Sequence, residues 1–169
     1  VQTCALPIFD SCGGCANCTA GQPAYCETFI PRNMFAHRLD GSTCVHDANG
    51  QPVLARWFGQ SSFATYCLAT ERNAVKVDPS LPLELLGPLG CGVQTGAGSV
   101  LNALRVQPGS SLVIFGSGAV GLSALLAGVV AGASTIIAVD LHDARLALAR
   151  ELGATHTRKG DDPELVARI

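Results

Sequence analysis

The chain has 169 residues, of which 48% are hydrophobic and 14% are charged, so it carries enough apolar side chains for a buried core and lacks the composition of a disordered protein. Its formal net charge of -2 argues against the basic surface that nucleic-acid-binding proteins use. No apolar run reaches the roughly 18 to 20 residues that cross a bilayer, so no transmembrane helix is predicted.

The two ends of the chain are unusual. Residues 1–8 can be encoded by a nucleotide series that matches part of a common DNA-sequencing adapter, and we interpret them as adapter read-through, with a natural N-terminal strand as the alternative. On this interpretation the protein sequence begins near Phe9, and Cys4 has no functional role. The chain lacks an initiator methionine and stops at Ile169 inside a predicted helix, so we expect a fragment truncated at both ends.

Residues 9–90 are predicted to be rich in β-structure. Two turn signals, Asp40-Gly41 and Asn49-Gly50, predict a hairpin over residues 38–52. Further strands are predicted over residues 58–68 and 74–77, and Pro79 and Pro82 precede a short helical turn at 84–89.

Residues 91–169 follow a different pattern, in which apolar strands alternate with helices. This alternation predicts an α/β unit with a parallel sheet and right-handed crossovers, beginning near residue 90. The predicted elements are a helix over 92–104, a strand over 112–115, a helix over 119–131, a strand over 135–139 and a helix over 144–152 that Gly153 ends.

A glycine loop follows the first of these strands, with the sequence Gly116-Ser117-Gly118-Ala119-Val120-Gly121. The G-x-G-x-x-G pattern is weak alone, but a strand before it and a helix after it are the context of a dinucleotide site. Gly116 would permit the tight turn, Gly118 the close approach of a diphosphate, and Gly121 the packing of helix on strand. The diphosphate would lie at the positive N-terminus of the helix.

Asp140 follows the second strand, where dinucleotide-binding units place an acid that binds the adenosine ribose. A carboxylate there would repel a 2′-phosphate, so NAD is favoured over NADP. Arg145 is close enough in sequence to reach the same ribose, which weakens that preference. The alternative is an ordinary strand–helix–strand unit with a glycine-rich turn.

Four of the eight cysteines lie in one short loop, at Cys12, Cys15, Cys18 and Cys26. Four thiolates complete the tetrahedral shell of a structural zinc, and a loop with almost no apolar core needs metal to be ordered. An iron–sulfur cluster is an alternative, although the bacterial ferredoxin run has three residues rather than seven before its last cysteine. Two disulfides are a further alternative in an oxidising compartment.

The cysteine loop, the β-rich segment around it and the glycine loop together resemble the zinc-containing medium-chain alcohol dehydrogenases. The resemblance covers residues 9–169. It implies part of a GroES-like catalytic domain over residues 9–90 and the first half of a Rossmann domain over residues 91–169. It also implies an enzyme that moves a hydride between an alcohol and NAD.

The segment Gly90-Cys91-Gly92-Val93-Gln94-Thr95-Gly96 is similar to the one that carries the third catalytic zinc ligand of that family. By this match Cys91 is a ligand of the catalytic zinc and Thr95 lies near the nicotinamide. The resemblance also places Ala119 and Val120 in the cofactor site, with Val120 against the nicotinamide. Without the family, Cys91 would be interpreted as a small buried residue.

The string Phe58-Gly59-Gln60-Ser61-Ser62-Phe63-Ala64-Thr65-Tyr66, with the segment after Cys91, is most similar to the aryl-alcohol (benzyl alcohol) branch. A glutathione-dependent formaldehyde dehydrogenase or a polyol dehydrogenase of the same family would share these motifs. A non-enzymatic zinc-ribbon module would explain the cysteine loop but not the glycine loop.

The resemblance also shows what the chain lacks. The family's other two catalytic ligands, a cysteine and a histidine, precede the cysteine loop, so we expect this fragment to be inactive. We predict that the four histidines are surface residues rather than substitute ligands: His37, His46, His142 and His156. The resemblance implies a cytoplasmic parent enzyme, a homodimer or homotetramer, with a small alcohol or aldehyde substrate and neither nucleic-acid nor membrane partners.

Overall fold

The computed structural model describes residues 4–5, 9–60, 65–66 and 69–169. The chain divides into two compact units, Val1–Gly87 and Pro88–Ile169. None of the helices in the described ranges combines the length and the apolar character needed to cross a membrane.

The first unit is built from short elements. Strand β1 (Cys4–Ala5) pairs antiparallel with strand β2 (Val75–Lys76), and the helices are α1 (Ala16–Thr19) and α2 (Phe29–Met34). Single 3-10 turns cover Pro23–Tyr25, Trp57–Gly59, Glu71–Asn73 and Leu83–Leu85. Regular β-pairing among the described residues of this unit is therefore less extensive than the sequence suggests.

The predicted hairpin is present in reduced form. His46 and Pro52 form an isolated antiparallel bridge, and Gly50 has a positive φ of 77°, as its turn requires. The Asp47 carboxylate accepts hydrogen bonds from the backbone amides of Asn49 and Gln51, both at 2.8 Å. These local bonds hold the turn without long strands on either side.

The prediction of a strand over residues 58–68 is wrong at the start of that range. Trp57–Gly59 forms a 3-10 turn in which Phe58 and Gly59 have positive φ values of 54° and 71°. A Cβ on Gly59 would lie 2.5 Å from the Asp10 Cβ, so only glycine fits where the backbone passes over this buried residue. Residues 61–64 and 67–68 of the predicted strand lie outside the described residues, as does Cys67.

The second unit has the predicted α/β architecture. Strands β3 (Ser111–Phe115), β4 (Thr135–Asp140) and β5 (His156–Lys159) form a parallel sheet in that order. The connecting helices are α4 (Ala119–Val130) and α5 (Asp143–Glu151). The central strand is apolar and buried along almost its whole length, as expected of a parallel strand flanked by helices.

The first helix of this unit differs in part from its prediction. Helix α3 (Gly92–Gly98) continues as one π-helical turn over Ser99–Ala103. The Ser99 hydroxyl donates to the Thr95 carbonyl at 2.8 Å, and such back-bonding disturbs the regular helical ladder. A Cβ on Gly96 would overlap the Val120 carbonyl oxygen, so α3 and α4 pack backbone to backbone.

The hydrophobic core of the second unit lies between the sheet and these helices. Its buried members are small and aliphatic: Val100, Leu112, Ile114, Leu125, Ala127, Ile136, Ala138 and Ala149. Strand β5 was absent from the sequence prediction because its residues, His156-Thr157-Arg158-Lys159, are polar. It forms because the unpaired edge of β4 offers a hydrogen-bonding partner.

We predict that Gly121→Ala destabilises the second unit by about 1–3 kcal/mol, the range found for overpacked sites. The added methyl group would overlap the Gly116 carbonyl oxygen and would lie 2.9 Å from its carbon, both of which are backbone atoms that cannot rotate away. Urea unfolding of the two proteins, followed by circular dichroism, measures the difference.

Gly118→Ala is the matched control. Gly118 has a φ of -83°, and a Cβ added to it would meet no other atom within 4 Å, so the change should cost less than about 1 kcal/mol. Equal stability of the two variants would contradict the packing role of Gly121.

Candidate functional site

The four cysteines of the first unit converge on one point. The Sγ atoms of Cys12, Cys15, Cys18 and Cys26 all lie within 4.8 Å of one another, and those of Cys12 and Cys18 are 3.9 Å apart. Four sulfurs bound to one zinc at about 2.3 Å in a tetrahedron are separated by about 3.8 Å. All four cysteines are free rather than disulfide-bonded, so the donor set fits a shared soft cation.

Local backbone geometry brings the sulfurs together. Gly13 has a positive φ of 74°, which turns the chain directly after Cys12. The amides of Cys15 and Gly14 then donate to the Cys12 sulfur at 3.2 and 3.4 Å. The amide of Cys12 donates to the Cys26 sulfur at 3.3 Å and links the two ends of the loop.

Charge is distributed unevenly among these thiols. Cys26 is buried, which by itself raises its pKa, but hydrogen bonds from the Thr28 hydroxyl and from the Cys12 and Thr28 amides outweigh burial and lower the pKa to about 6. Burial and the neighbouring sulfurs instead raise the pKa of Cys18 to about 11. Adjacent sulfurs cannot all carry negative charge unless a cation lies between them, and Cys26 is the one best prepared to be a thiolate.

A buried network of hydrogen bonds joins Asp10, just before the cysteine loop, to Arg32 and Asn33, which follow it. Asp10 and Asn33 are 1% and 0% exposed. The Asp10 amide donates to Asn33 Oδ1 at 2.7 Å, and Asn33 Nδ2 donates back to the Asp10 carbonyl at 2.9 Å. Arg32 forms an ion pair with Asp10 at 3.2 Å. Sequence reasoning missed these residues because they are 22 and 23 positions apart and carry no spacing motif.

The glycine loop of the second unit lies between β3 and α4. Gly116 has a positive φ of 92°, and its amide donates to the Val139 carbonyl at 2.7 Å. Gly118 is the residue that precedes the first turn of α4, and the space beside its Cα is open. The loop therefore presents a bare backbone and a helix N-terminus, which is the geometry that receives a diphosphate.

Asp140 is at the end of β4, beside this loop. Its carboxylate accepts from the Ser117 amide at 2.7 Å and from the His142 amide at 2.8 Å, and the Arg145 guanidinium lies 3.7 Å away. The His142 amide is the main cause that holds the Asp140 pKa below its ordinary value, with the Ser117 amide next. The carboxylate is therefore ionised at neutral pH.

A groove of ≈ 380 Å³ adjoins this carboxylate at the carboxyl ends of the strands. Open α/β sheets bind ligands in this position. It is lined by Phe115, Gly116, Val139, Asp140, Leu141, His142, Arg145 and Gly160. Phe115 and Leu141 are 69% and 59% exposed and offer apolar surface on which a planar base could pack.

Cys91 is at the residue before helix α3 and is exposed. A Cβ on the next residue, Gly92, would lie 3.6 Å from the Ala119 Cβ and 4.0 Å from Val120 Cγ2. The structure therefore places the start of α3 against the start of α4. Val120 is 46% exposed and Thr95 is also exposed, so both side chains are accessible to a ligand.

The histidines and Cys44 are not part of the cysteine cluster. His46, His142 and His156 are exposed and His37 is half-buried. Cys44, within the predicted hairpin, lies exposed in a bend. Within the described residues, the four cysteines of the loop form the one group of cysteine, histidine and acidic side chains close enough to share an ion.

Many known proteins are similar to the chain in sequence or in structure. The chain is 54% identical over 149 residues to a geraniol dehydrogenase from Castellaniella defragrans, covering 88% of this chain and 40% of that protein. The crystal structure of an alcohol dehydrogenase zinc-binding domain protein from Burkholderia ambifaria superimposes with a TM-score of 0.94 at 51% identity, covering 99% of this chain and 45% of that one.

A second solved structure supports the aryl-alcohol resemblance. Benzyl alcohol dehydrogenase from Acinetobacter calcoaceticus superimposes with a TM-score of 0.88 at 50% identity, covering 99% of this chain and 44% of that one. No protein-family model matches the chain. The chain spans less than half the length of each of these three proteins, and in sequence and structure it is similar to the zinc-type alcohol dehydrogenases.

Proposed function

We propose that the full-length protein is a zinc-dependent oxidoreductase that transfers a hydride between a primary alcohol and NAD. The observation that carries the proposal is the packing of two helix starts in the second unit. One follows Cys91, and the other carries Ala119 and Val120 of the glycine loop. On this proposal, a ligand of the catalytic metal and the dinucleotide site would lie on adjoining elements.

The cofactor half of the proposal is supported by the loop and the groove. The backbone of Gly116, Gly118 and Gly121 would receive the diphosphate, and ionised Asp140 would accept hydrogen bonds from the ribose hydroxyls. The same carboxylate would repel a 2′-phosphate, which favours NAD over NADP. Arg145 lies 3.7 Å from this carboxylate and neutralises part of its charge, so it moderates that preference.

We also propose two zinc ions in the full-length enzyme. The fit of the cysteine loop to a tetrahedral shell supports a structural zinc bound by Cys12, Cys15, Cys18 and Cys26. The family resemblance supports Cys91 as one ligand of a catalytic zinc, which would act there as a Lewis acid that lowers the pKa of the bound alcohol. The Cys₂His set for alcohol dehydrogenase is a standard example of a catalytic zinc site.

The protein residues would position the reacting groups. Val120 would pack against the nicotinamide, and Thr95, one helical turn beyond Cys91, would border the same space. Both lie on helices whose starts are held together by the close packing at Gly96. Rigid helices hold reacting atoms at a fixed separation, which is the protein's main contribution when the cofactor carries the chemistry.

The substrate class is proposed from two of the relatives. One is named for geraniol and the other for benzyl alcohol. Both compounds are primary alcohols whose hydroxyl-bearing carbon is attached to an unsaturated carbon. We therefore propose an aryl or allylic primary alcohol as substrate. By the family resemblance, the full-length protein would be a cytoplasmic homodimer or homotetramer.

We predict that Gly118→Ala in the full-length protein weakens NAD binding at least tenfold. The methyl group would occupy the open space through which a diphosphate approaches the backbone. Isothermal titration calorimetry with NAD measures the change, and urea unfolding shows that the variant remains folded. Unchanged NAD affinity in a folded variant would contradict the diphosphate site.

We predict that the enzyme from the complete reading frame reduces NAD with benzyl alcohol or geraniol, and that Cys91→Ala abolishes turnover because a zinc ligand is lost. Cys44→Ser, which changes another exposed cysteine, should leave the rate unchanged. Full activity of Cys91→Ala would contradict the catalytic assignment. Much faster turnover of S-(hydroxymethyl)glutathione or of a polyol would move the protein to another branch of the family.

A further inference from the structure

A continuous chain of polar contacts leads from a buried carboxylate to one sulfur of the cysteine cluster. Asp10 Oδ2 accepts from Arg32 Nη1 at 3.2 Å, Arg32 Nε donates to Thr28 Oγ1 at 2.9 Å, and Thr28 Oγ1 lies 3.5 Å from the Cys26 Sγ. The motifs of the cysteine loop do not include Thr28 or Arg32.

The direction of the last hydrogen bond follows from its neighbours. A guanidinium only donates, so the bond from Arg32 occupies a lone pair of the Thr28 oxygen and leaves the hydroxyl hydrogen free to donate elsewhere. A thiolate only accepts. When Cys26 is a thiolate, the Thr28 hydroxyl is therefore the donor and the Cys26 sulfur is the acceptor.

Arg32 is itself held in place. The Asp10 side chain is 0% exposed and that of Arg32 is 21% exposed, so the pair is largely shielded from water. Thr28 immediately precedes α2 and Arg32 lies four residues later in that helix, a spacing that brings the two side chains onto the same face. The guanidinium therefore restrains the Thr28 oxygen and places a positive charge within hydrogen-bond distance of it.

We propose that Thr28 is a positioning residue for the metal of the cysteine loop, with Arg32 and Asp10 fixing its hydroxyl. This inference rests on the proposed structural zinc. A hydrogen bond to a coordinated sulfur removes part of its negative charge, and a zinc bound by four thiolates carries an excess charge of -2 that such donors offset. Thr28 thus stabilises the bound state of Cys26 without touching the metal.

The test compares three variants of the chain in its zinc and cobalt forms. Thr28→Val keeps the side-chain shape and removes the donor, and Thr28→Ser restores the donor. Thr19→Val removes a hydroxyl of the same loop that donates to the carbonyls of Cys15 and Ala16 rather than to a sulfur. Zinc release to a colorimetric chelator gives the kinetic readout. The sulfur-to-cobalt charge-transfer band gives a readout that a general loss of stability would not shift.

We expect Thr28→Val to release zinc about tenfold faster. This is the lower end of the loss in metal affinity that follows when a residue hydrogen-bonded to a metal ligand is removed. Its charge-transfer band should move to longer wavelength, because a sulfur without its donor gives up an electron more easily. Thr28→Ser and Thr19→Val should match the unmodified chain in both measurements.

Release and band position unchanged in Thr28→Val would overturn the role of Thr28 while leaving the zinc site intact. An unmodified chain that binds no zinc would overturn the metal assignment itself and the role of Thr28 with it. If Thr28→Val does not fold, Arg32→Lys decides, because it frees the hydroxyl to rotate. Faster zinc release by that variant supports the proposal, and unchanged release overturns it.

Discussion

Mutual repulsion among four closely placed sulfurs is the constraint on which the first unit depends. They lie within 4.8 Å of one another in a loop that contributes a single buried apolar side chain, that of Cys26 itself. Such an arrangement is stable when a cation neutralises the thiolates, and its binding free energy then serves as folding free energy. The surrounding amides and the Thr28 hydroxyl add smaller contributions by directing donors at individual sulfurs.

The buried polar network next to the cysteine loop connects the loop to other segments of the first unit. Asp10, two residues before Cys12, donates its backbone amide to the Asn33 side chain of α2. The Asp10 Cβ also packs closely against the backbone at Gly59. Thr70 and Asn73 form a capping box, and the Asn73 side chain is fully buried. Polar groups so deeply buried are stable only because each has its partners, so the satisfied network stabilises the chain on either side of the cysteine loop whether or not a metal is bound.

The second unit has a different physical basis, because its elements are held by apolar packing and by glycines at points of close approach. Gly96 and Gly121 allow backbones to touch, whereas Gly118 leaves room for a ligand. The sequence predicted this unit well, since strand, loop and helix are contiguous and each glycine acts on near neighbours. The cysteine loop was predictable for the same reason.

Long-range contacts could not be predicted in this way. The turn at residues 58 and 59 packs against Asp10, which is 49 positions from Gly59, and no local pattern indicates this contact. The polar strand β5 forms because β4 is there to pair with it. The contact of Arg32 with Thr28 is local in sequence, but its relevance to Cys26 depends on both contacts sharing one oxygen atom, which no sequence motif specifies.

X-ray absorption at the zinc edge tests the structural-zinc assignment most directly, because it reports the number and kind of atoms around the metal in the chain. We predict one zinc per chain, with four sulfur neighbours at about 2.3 Å and no nitrogen or oxygen in the shell. Bound iron, or a zinc shell with fewer than four sulfurs, would contradict that assignment.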